Sequence, residues 1–213
     1  RQIFVVEQAF AAALGTGLPV YEPQGSFVVD IGGGTTEVAL VSMGGVVLSH
    51  SVRVAGNKID EAIAGFLKKQ HAILVTDRVA EQIKFDLADV RSEKKMEHIA
   101  VVRGRDIATG MPLTVDVNMA NVSEAIREPL QEILGAIKWV LGRIPPELCS
   151  DILQNGIYLT GGSAALPNLD TMIATEFGVP VSVARDAGEC TTLGAGYMAD
   201  HFDMLGGVSG KND

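Results

Sequence analysis

Two hydrophobic periods divide this chain. Ser26–Ile31, Glu37–Met43 and Val46–Val54 are short apolar runs, and their spacing predicts strands. Gly44-Gly45 between the last two is a hairpin signal. From Asn57 the period lengthens. Ile59, Ile63, Phe66 and Leu67 predict an amphipathic helix over Asn57–Gln70, and Val79, Ile83 and Leu87 predict another over Thr76–Ala88. Upstream, Ile3–Val6 reads as the end of a strand. Gln8–Leu14 reads as an Ala-rich helix stopped by Gly15, Gly17 and Pro19, and Tyr21–Gly25 as a turn-rich connector. Charged residues 91–97 read as a solvated loop. Ile99–Arg103 and Leu113–Val117 flank the turn Thr109-Gly110-Met111-Pro112 as a hairpin. A long helix over Asn121–Leu141 follows, then a shorter one from Pro145-Pro146 to just before Gly156. Strand Ile157–Thr160, helix Leu166–Phe177, strand Val181–Val183 and helix Thr191–Ala199 close the pattern before a Gly-rich tail, 201–213. The order suggests a larger α/β lobe interrupted at about 58–117 by a smaller one.

Composition narrows the function classes. With 17 Lys+Arg against 26 Asp+Glu, the formal net charge is −9, which argues against a non-specific nucleic-acid binder and against attraction to anionic bilayers. Charged residues at 20% and hydrophobic ones at 47% suit a packed domain. Two cysteines, Cys149 and Cys190, imply no disulfide framework, so a cytoplasmic setting is the simpler expectation. No apolar run reaches the roughly 18 residues of a spanning helix. The four histidines lack metal-ligand spacing, and Trp139 is expected in the core. The first residue is Arg1 on an apolar stretch, and the expectation is a fragment.

The chemistry concentrates in two glycine loops. Val28-Val29-Asp30-Ile31-Gly32-Gly33-Gly34-Thr35-Thr36-Glu37 places an acid at the end of a strand, then three glycines and two hydroxyls. Residues without Cβ let consecutive N–H groups converge on an anion. Thr35 and Thr36 can donate to phosphate oxygens, and Asp30 can hold a water-bound cation or orient a water. Spacing alone leaves this open against a hairpin with a flexible turn. The loop is neither a Walker A loop nor a dinucleotide fingerprint, since no Gly-Lys-Ser/Thr occurs and a strand follows it. The second loop, Leu159-Thr160-Gly161-Gly162-Ser163, ends a strand and leads toward a helix. Taken alone it reads better as an ordinary turn with a Ser cap than as a ring- or phosphate-binding turn.

Together these loops resemble the second phosphate loop and the adenosine motif of the actin superfamily. Several further segments resemble the bacterial rod-shape actins MreB and Mbl: Val28–Gly45, Val54-Ala55-Gly56-Asn57-Lys58-Ile59-Asp60, Val102–Asp106, Pro145-Pro146-Glu147-Leu148 and Leu166-Pro167-Asn168-Leu169. The similarity runs from about Ile3 to Ala199. It implies an α/β fold: an RNase H-like actin-superfamily lobe over 24–57 and 118–200, with a smaller α+β lobe, 58–117, inserted. Residues 1–23 become an interdomain helix and connector, and 201–213 a tail. The family's first phosphate loop, an Asp-Leu-Gly-Thr type, is absent from the chain.

By resemblance, the complete protein is an ATP-binding, Mg²⁺-dependent cytoskeletal filament former that determines cell shape. It would turn ATP over slowly, and this portion alone would be inactive. Glu7 matches the acid that positions the hydrolytic water, with Asp30 as the second catalytic acid and the water-mediated metal ligand. Without the family, Glu7 reads as a helix-start acid. Gly32, Gly33, Gly34, Thr35, Thr36, Gly161, Gly162 and Ser163 match the nucleotide loops. Glu81 and Lys84 match the helix contacting adenosine, against the alternative of a surface i,i+3 ion pair. Gly56 matches a backbone requirement at the turn into the smaller lobe, and Asp60 a cap or packing residue there. The family usually reads Glu-Glu-Pro where this chain has Glu7-Gln8-Ala9, a departure that bears on hydrolysis more than on binding. Implied partners are further copies in a protofilament, cell-wall elongation proteins and membrane-anchored shape proteins. Membrane contact would come only through the N-terminal lobe, so the complete filament would be cytoplasmic and membrane-associated. The competing readings are a non-polymerising adaptor or chaperone-like member, and a sugar kinase.

Overall fold

A computed structural model describes residues 5–90 and 99–201 of the chain. Residues 3–4 of the expected first strand, the expected loop 91–97 and the tail from 202 lie outside the described residues, while Val5 and Val6 carry no strand. Two sheets organise the rest. The first runs β3-β2-β1-β7-β8, from β1 (Ser26–Ile31), β2 (Thr36–Ser42), β3 (Gly45–Val52), β7 (Ile157–Thr160) and β8 (Val181–Val183). Its β1–β2–β3 half is an antiparallel meander, and β7 and β8 join parallel to β1. The second sheet is β4 (Ile73–Leu74), β5 (Ile99–Asp106) and β6 (Pro112–Asn118), all antiparallel.

β1 is buried at every position and β2 at all but Glu37, as near-continuous apolar strings require when helices cover both faces. On one face lie α5 (Arg127–Leu141) and α6 (Pro146–Asn155). On the other lies α1 (Gln8–Gly15), backed by α8 (Cys190–Asp200). One apolar cluster runs from the first sheet through α5 into α2 (Gly56–His71), α3 (Asp77–Leu87) and the second sheet. A smaller one gathers α1, Val28, Ala39, Val41 and Met198.

Where the structure departs from the sequence pattern, a local cause is visible. The helix expected over Asn121–Leu141 is two: α4 (Met119–Ala125), capped by the Asn118 side chain on the Ala120 amide, and α5, with Ile126 between them. Pro129 has no N–H to return to residue 125, so the i→i−4 ladder cannot run through. The helix expected from Leu166 is a 3₁₀ turn over Gly162–Ala165 followed by α7 (Leu169–Phe177), because Pro167 and a left-handed Asn168 intervene. Trp139 is not in the core. It is 37% exposed, stacked on His50 of β3 at 4.6 Å, with the Arg143 guanidinium 4.1 Å from its ring.

The α1–α8 seam has almost no side chains in it. α8 buries only Cys190, Gly194 and Met198, a stripe that repeats every four residues and faces α1. A Cβ on Gly194 would overlap the Ala11 carbonyl, and one on Gly15 would overlap the carbonyl of Cys190. Gly196, on the same helix, has open space where its Cβ would be. Gly194→Ala is therefore expected to cost about 3 kcal/mol by overpacking. Gly196→Ala should be neutral or stabilise by up to about 1 kcal/mol through helix propensity. Thermal unfolding of the two variants checks this difference in sign.

Candidate functional site

The glycine loop between β1 and β2 is held by its carbonyls. Gly32 donates its N–H to the Thr35 carbonyl at 3.0 Å. The Gly32 carbonyl accepts both the Gly56 amide, at 3.1 Å, and the Ser163 hydroxyl, at 2.8 Å. The Gly33 carbonyl accepts the Asn57 amide at 2.8 Å. The loop thus caps the first turn of α2, whose preceding residue, Ala55, has no side chain to do so. With the carbonyls directed there, the amides of Gly33, Gly34 and Thr35 have no acceptor among the described residues. Gly33 and Gly34 are exposed, and nothing stands within 4 Å of a Cβ on Gly34. Acceptor-free amides on a solvent-facing glycine loop are what an anion-binding nest requires.

The second glycine loop lies against the first. Gly161 has φ +86°, and a Cβ there would overlap the Ile31 carbonyl; its amide donates to the Ala187 carbonyl at 2.8 Å. Gly162 is exposed with open space beside it. Ser163 is buried, its hydroxyl committed to Gly32.

Two predicted ligands point elsewhere. The Thr36 hydroxyl is fully buried and donates to the Val54 carbonyl at 2.7 Å, so its single hydrogen is not offered to the loop mouth; Thr35 is the half-buried neighbour on the open side. Lys84 neither covers a groove nor pairs with Glu81. Its ammonium is buried under α2, 3.0 Å from Asp60 Oδ1 and 3.1 Å from Oδ2, and 3.5 Å from the Gly56 carbonyl. Glu81 is exposed. A Cβ at Gly56 would press on Ser163 Oγ at 2.5 Å and on Lys84 Nζ at 3.3 Å. Glycine is required there because two loops and a buried cation converge on one backbone position.

Acids cluster at the other end of the loop. Asp30, 3% exposed, accepts hydrogen bonds at Oδ2 from Gln8 Nε2 (2.8 Å) and Thr191 Oγ1 (3.1 Å). Glu37 is its cross-strand partner. Glu7 precedes α1, exposed, on the rim of a cavity of about 420 Å³ that Gln8, Glu37, Ser49, His50 and Ser51 also line. Burial, then the Asp30 charge, raises the Glu37 carboxyl above its ordinary value; the Ala9 N–H opposes this, and Glu7 adds to it. Glu37, Asn57 and Thr191 were not singled out from sequence. Only Glu37 had a signal, since a short loop from Ile31 to Thr36 sets it opposite Asp30. Among the described residues no group of three or more His, Cys, Asp or Glu side chains could hold a metal alone. One buried carboxylate beside acceptor-free amides would fit Mg²⁺ held largely by phosphates and water.

A second cavity, about 280 Å³, opens between α3 and β5 beside Val79, Gln82, Ile83 and Arg103, away from these loops. No helix among the described residues is long and apolar enough to cross a membrane.

A sequence profile of the MreB/Mbl protein family matches residues 1–207. The chain is 42% identical over 205 residues to the cell shape-determining protein Mbl of Bacillus subtilis (strain 168), covering 96% of this chain and 61% of that protein. It is 44% identical over 207 residues to the cell shape-determining protein MreB of Escherichia coli (strain K12), covering 97% and 59%. The crystal structure of MreB5 of Spiroplasma citri bound to ADP superposes with a TM-score of 0.87 at 31% identity, over 94% of this chain and 61% of that one. The chain spans about three fifths of the length of these relatives, and its fold is actin-like.

Two outcomes follow. Lys84→Met should destabilise by about 3 kcal/mol, because the partly buried Asp60 carboxylate is left without its cation; adding Asp60→Asn should restore most of the loss. Denaturant unfolding of the two variants measures both. For Glu37, a raised folded-state value means the folded chain binds the proton more tightly than the unfolded chain. Its contribution is therefore best below the ordinary value of 4.5 and worsens as pH rises through the raised one. Glu37→Gln should raise the melting temperature at pH 7 by about 1–2 °C, after discounting for partial exposure, and give no gain at pH 4.

Proposed function

This chain belongs to the MreB/Mbl family, and on that footing we propose that it is part of an ATP-binding, actin-like cytoskeletal protein whose filaments direct cell shape. The observation that carries the nucleotide reading is the set of three acceptor-free amides at Gly33, Gly34 and Thr35, locked against the Gly161–Ser163 turn through one carbonyl. Phosphate oxygens would take those amides, and the exposed Gly162 backbone would lie against the adenosine, with Glu81 reaching the ribose. Asp30 would hold a water of Mg²⁺, and Glu7, on the cavity rim beside Glu37, would orient the attacking water. The cation itself would neutralise charge on the phosphates. The ADP held by MreB5 of Spiroplasma citri, which shares this fold at 31% identity, supports a nucleotide here.

The larger lobe would comprise 24–57 and 118–200, the strands of the five-stranded sheet with their helices. The smaller would be 58–117, which holds β4, β5 and nearly all of β6. Further copies in a protofilament, cell-wall elongation proteins and membrane-anchored shape proteins are the partners this reading implies, on the cytoplasmic side of a membrane reached through the N-terminal lobe of the complete protein. This chain alone would bind nucleotide weakly without turning it over.

Gly34→Asp sets a carboxylate among the free amides without filling packed space. It should weaken ADP binding at least about thirtyfold, the loss of one to two charge-assisted hydrogen bonds, while leaving the melting temperature unchanged. Isothermal titration of the wild type and variant measures this. Equal affinities would place the nucleotide elsewhere. Sedimentation of the complete protein with ATP then separates a filament former, which pellets, from a non-polymerising adaptor, which does not.

A further inference from the structure

Asp30 is buried at the end of β1, yet two neutral donors meet on one of its oxygens. Gln8 comes from the first turn of α1 and Thr191 from the first turn of α8, 2.8 Å and 3.1 Å from Oδ2. The other oxygen, Oδ1, lies against Gly161, where any Cβ would crowd it. The carboxylate is thus fixed on both sides. Donors that carry no charge hold the carboxylate without competing with it for a cation.

The two donors come from helices that touch backbone to backbone. With glycine at 15 and 194, the α1–α8 distance is set by main-chain contact and not by side chains that could repack. Asp30 therefore depends on how α1 is seated on α8. A glutamate placed as Gln8 is would set two carboxylates in contact within a site that already contains Glu37, whereas the amide turns that contact into a donated bond.

We propose that Gln8 and Thr191 are positioning residues for Asp30, and that through them the seating of α1 on α8 sets the divalent-cation affinity of the phosphate site. This rests on the nucleotide reading above. Hydrogen-bonded partners of a cation-holding carboxylate commonly change metal affinity by about 10- to 100-fold when removed, without touching the metal.

The test uses two near-isosteric neutral variants of this chain, Gln8→Met and Thr191→Val, with Thr191→Ser as the conservative control. Affinity for ADP is measured by titration in EDTA and again in Mg²⁺, with the melting temperature recorded in parallel. Each variant should leave ADP affinity in EDTA within about twofold of wild type and reduce the tightening produced by Mg²⁺ by about tenfold. Thr191→Ser should retain that tightening. The proposal is overturned if EDTA and Mg²⁺ affinities fall together, or if only the melting temperature changes, since either result makes the two residues structural. A wild-type chain that binds no ADP in either buffer would instead overturn the nucleotide reading, and this inference with it.

Discussion

The centre of this molecule depends on one carbonyl oxygen. Gly32 O accepts the amide that starts α2 and the hydroxyl that starts the turn after β7, which ties three segments far apart in sequence to one atom. A carbonyl has two lone pairs, and both are engaged. The exposed amides that follow are free for the same reason. The loop directs its acceptors inward to cap a helix, so its donors are left facing solvent. Lys84 and Asp60 close the arrangement from behind, where an ion pair holds α3 to α2 beside Gly56, a position that cannot tolerate a Cβ.

Much of this was legible in the sequence because it is local. Apolar strings from Ser26 to Val54 located three strands to within two residues, and Asp30-Ile31-Gly32-Gly33-Gly34 located the loop. The failures are equally local in origin. Pro129 and Pro167 each interrupted a helix that hydrophobic period alone carried through. What could not be read were hydrogen bonds between distant residues. Thr191 meets Asp30 across 161 positions, and Ser163 meets Gly32 across 131; neither has a periodic or spacing signature. The inward turn of Thr36 was hidden for a related reason. Adjacent hydroxyls look alike in sequence, and only the strand beginning at Thr36 decides which of them faces the core.

The two helical faces of the first sheet solve packing differently. Branched side chains of α5 interdigitate with the sheet on one side, where Ile133, Ile137 and Val140 are nearly fully buried. On the other, alanines of α1 let the helix lie close to β1 and β2, and glycines let α8 lie close to α1. A seam of small residues gains little from apolar area but holds its separation tightly, because main chain cannot change rotamer. Displacement of α1 along such a seam is carried as a rigid shift to Gln8 and not absorbed on the way.

Trp139 is the only indole in the chain, and it sits one side chain from the acidic cavity. His50, stacked on it, also lines the wall that contains Glu7 and Glu37, while Arg143 covers the indole from α5's end. The protein consequently carries a native optical probe stacked on an imidazole that itself lines the acidic cavity.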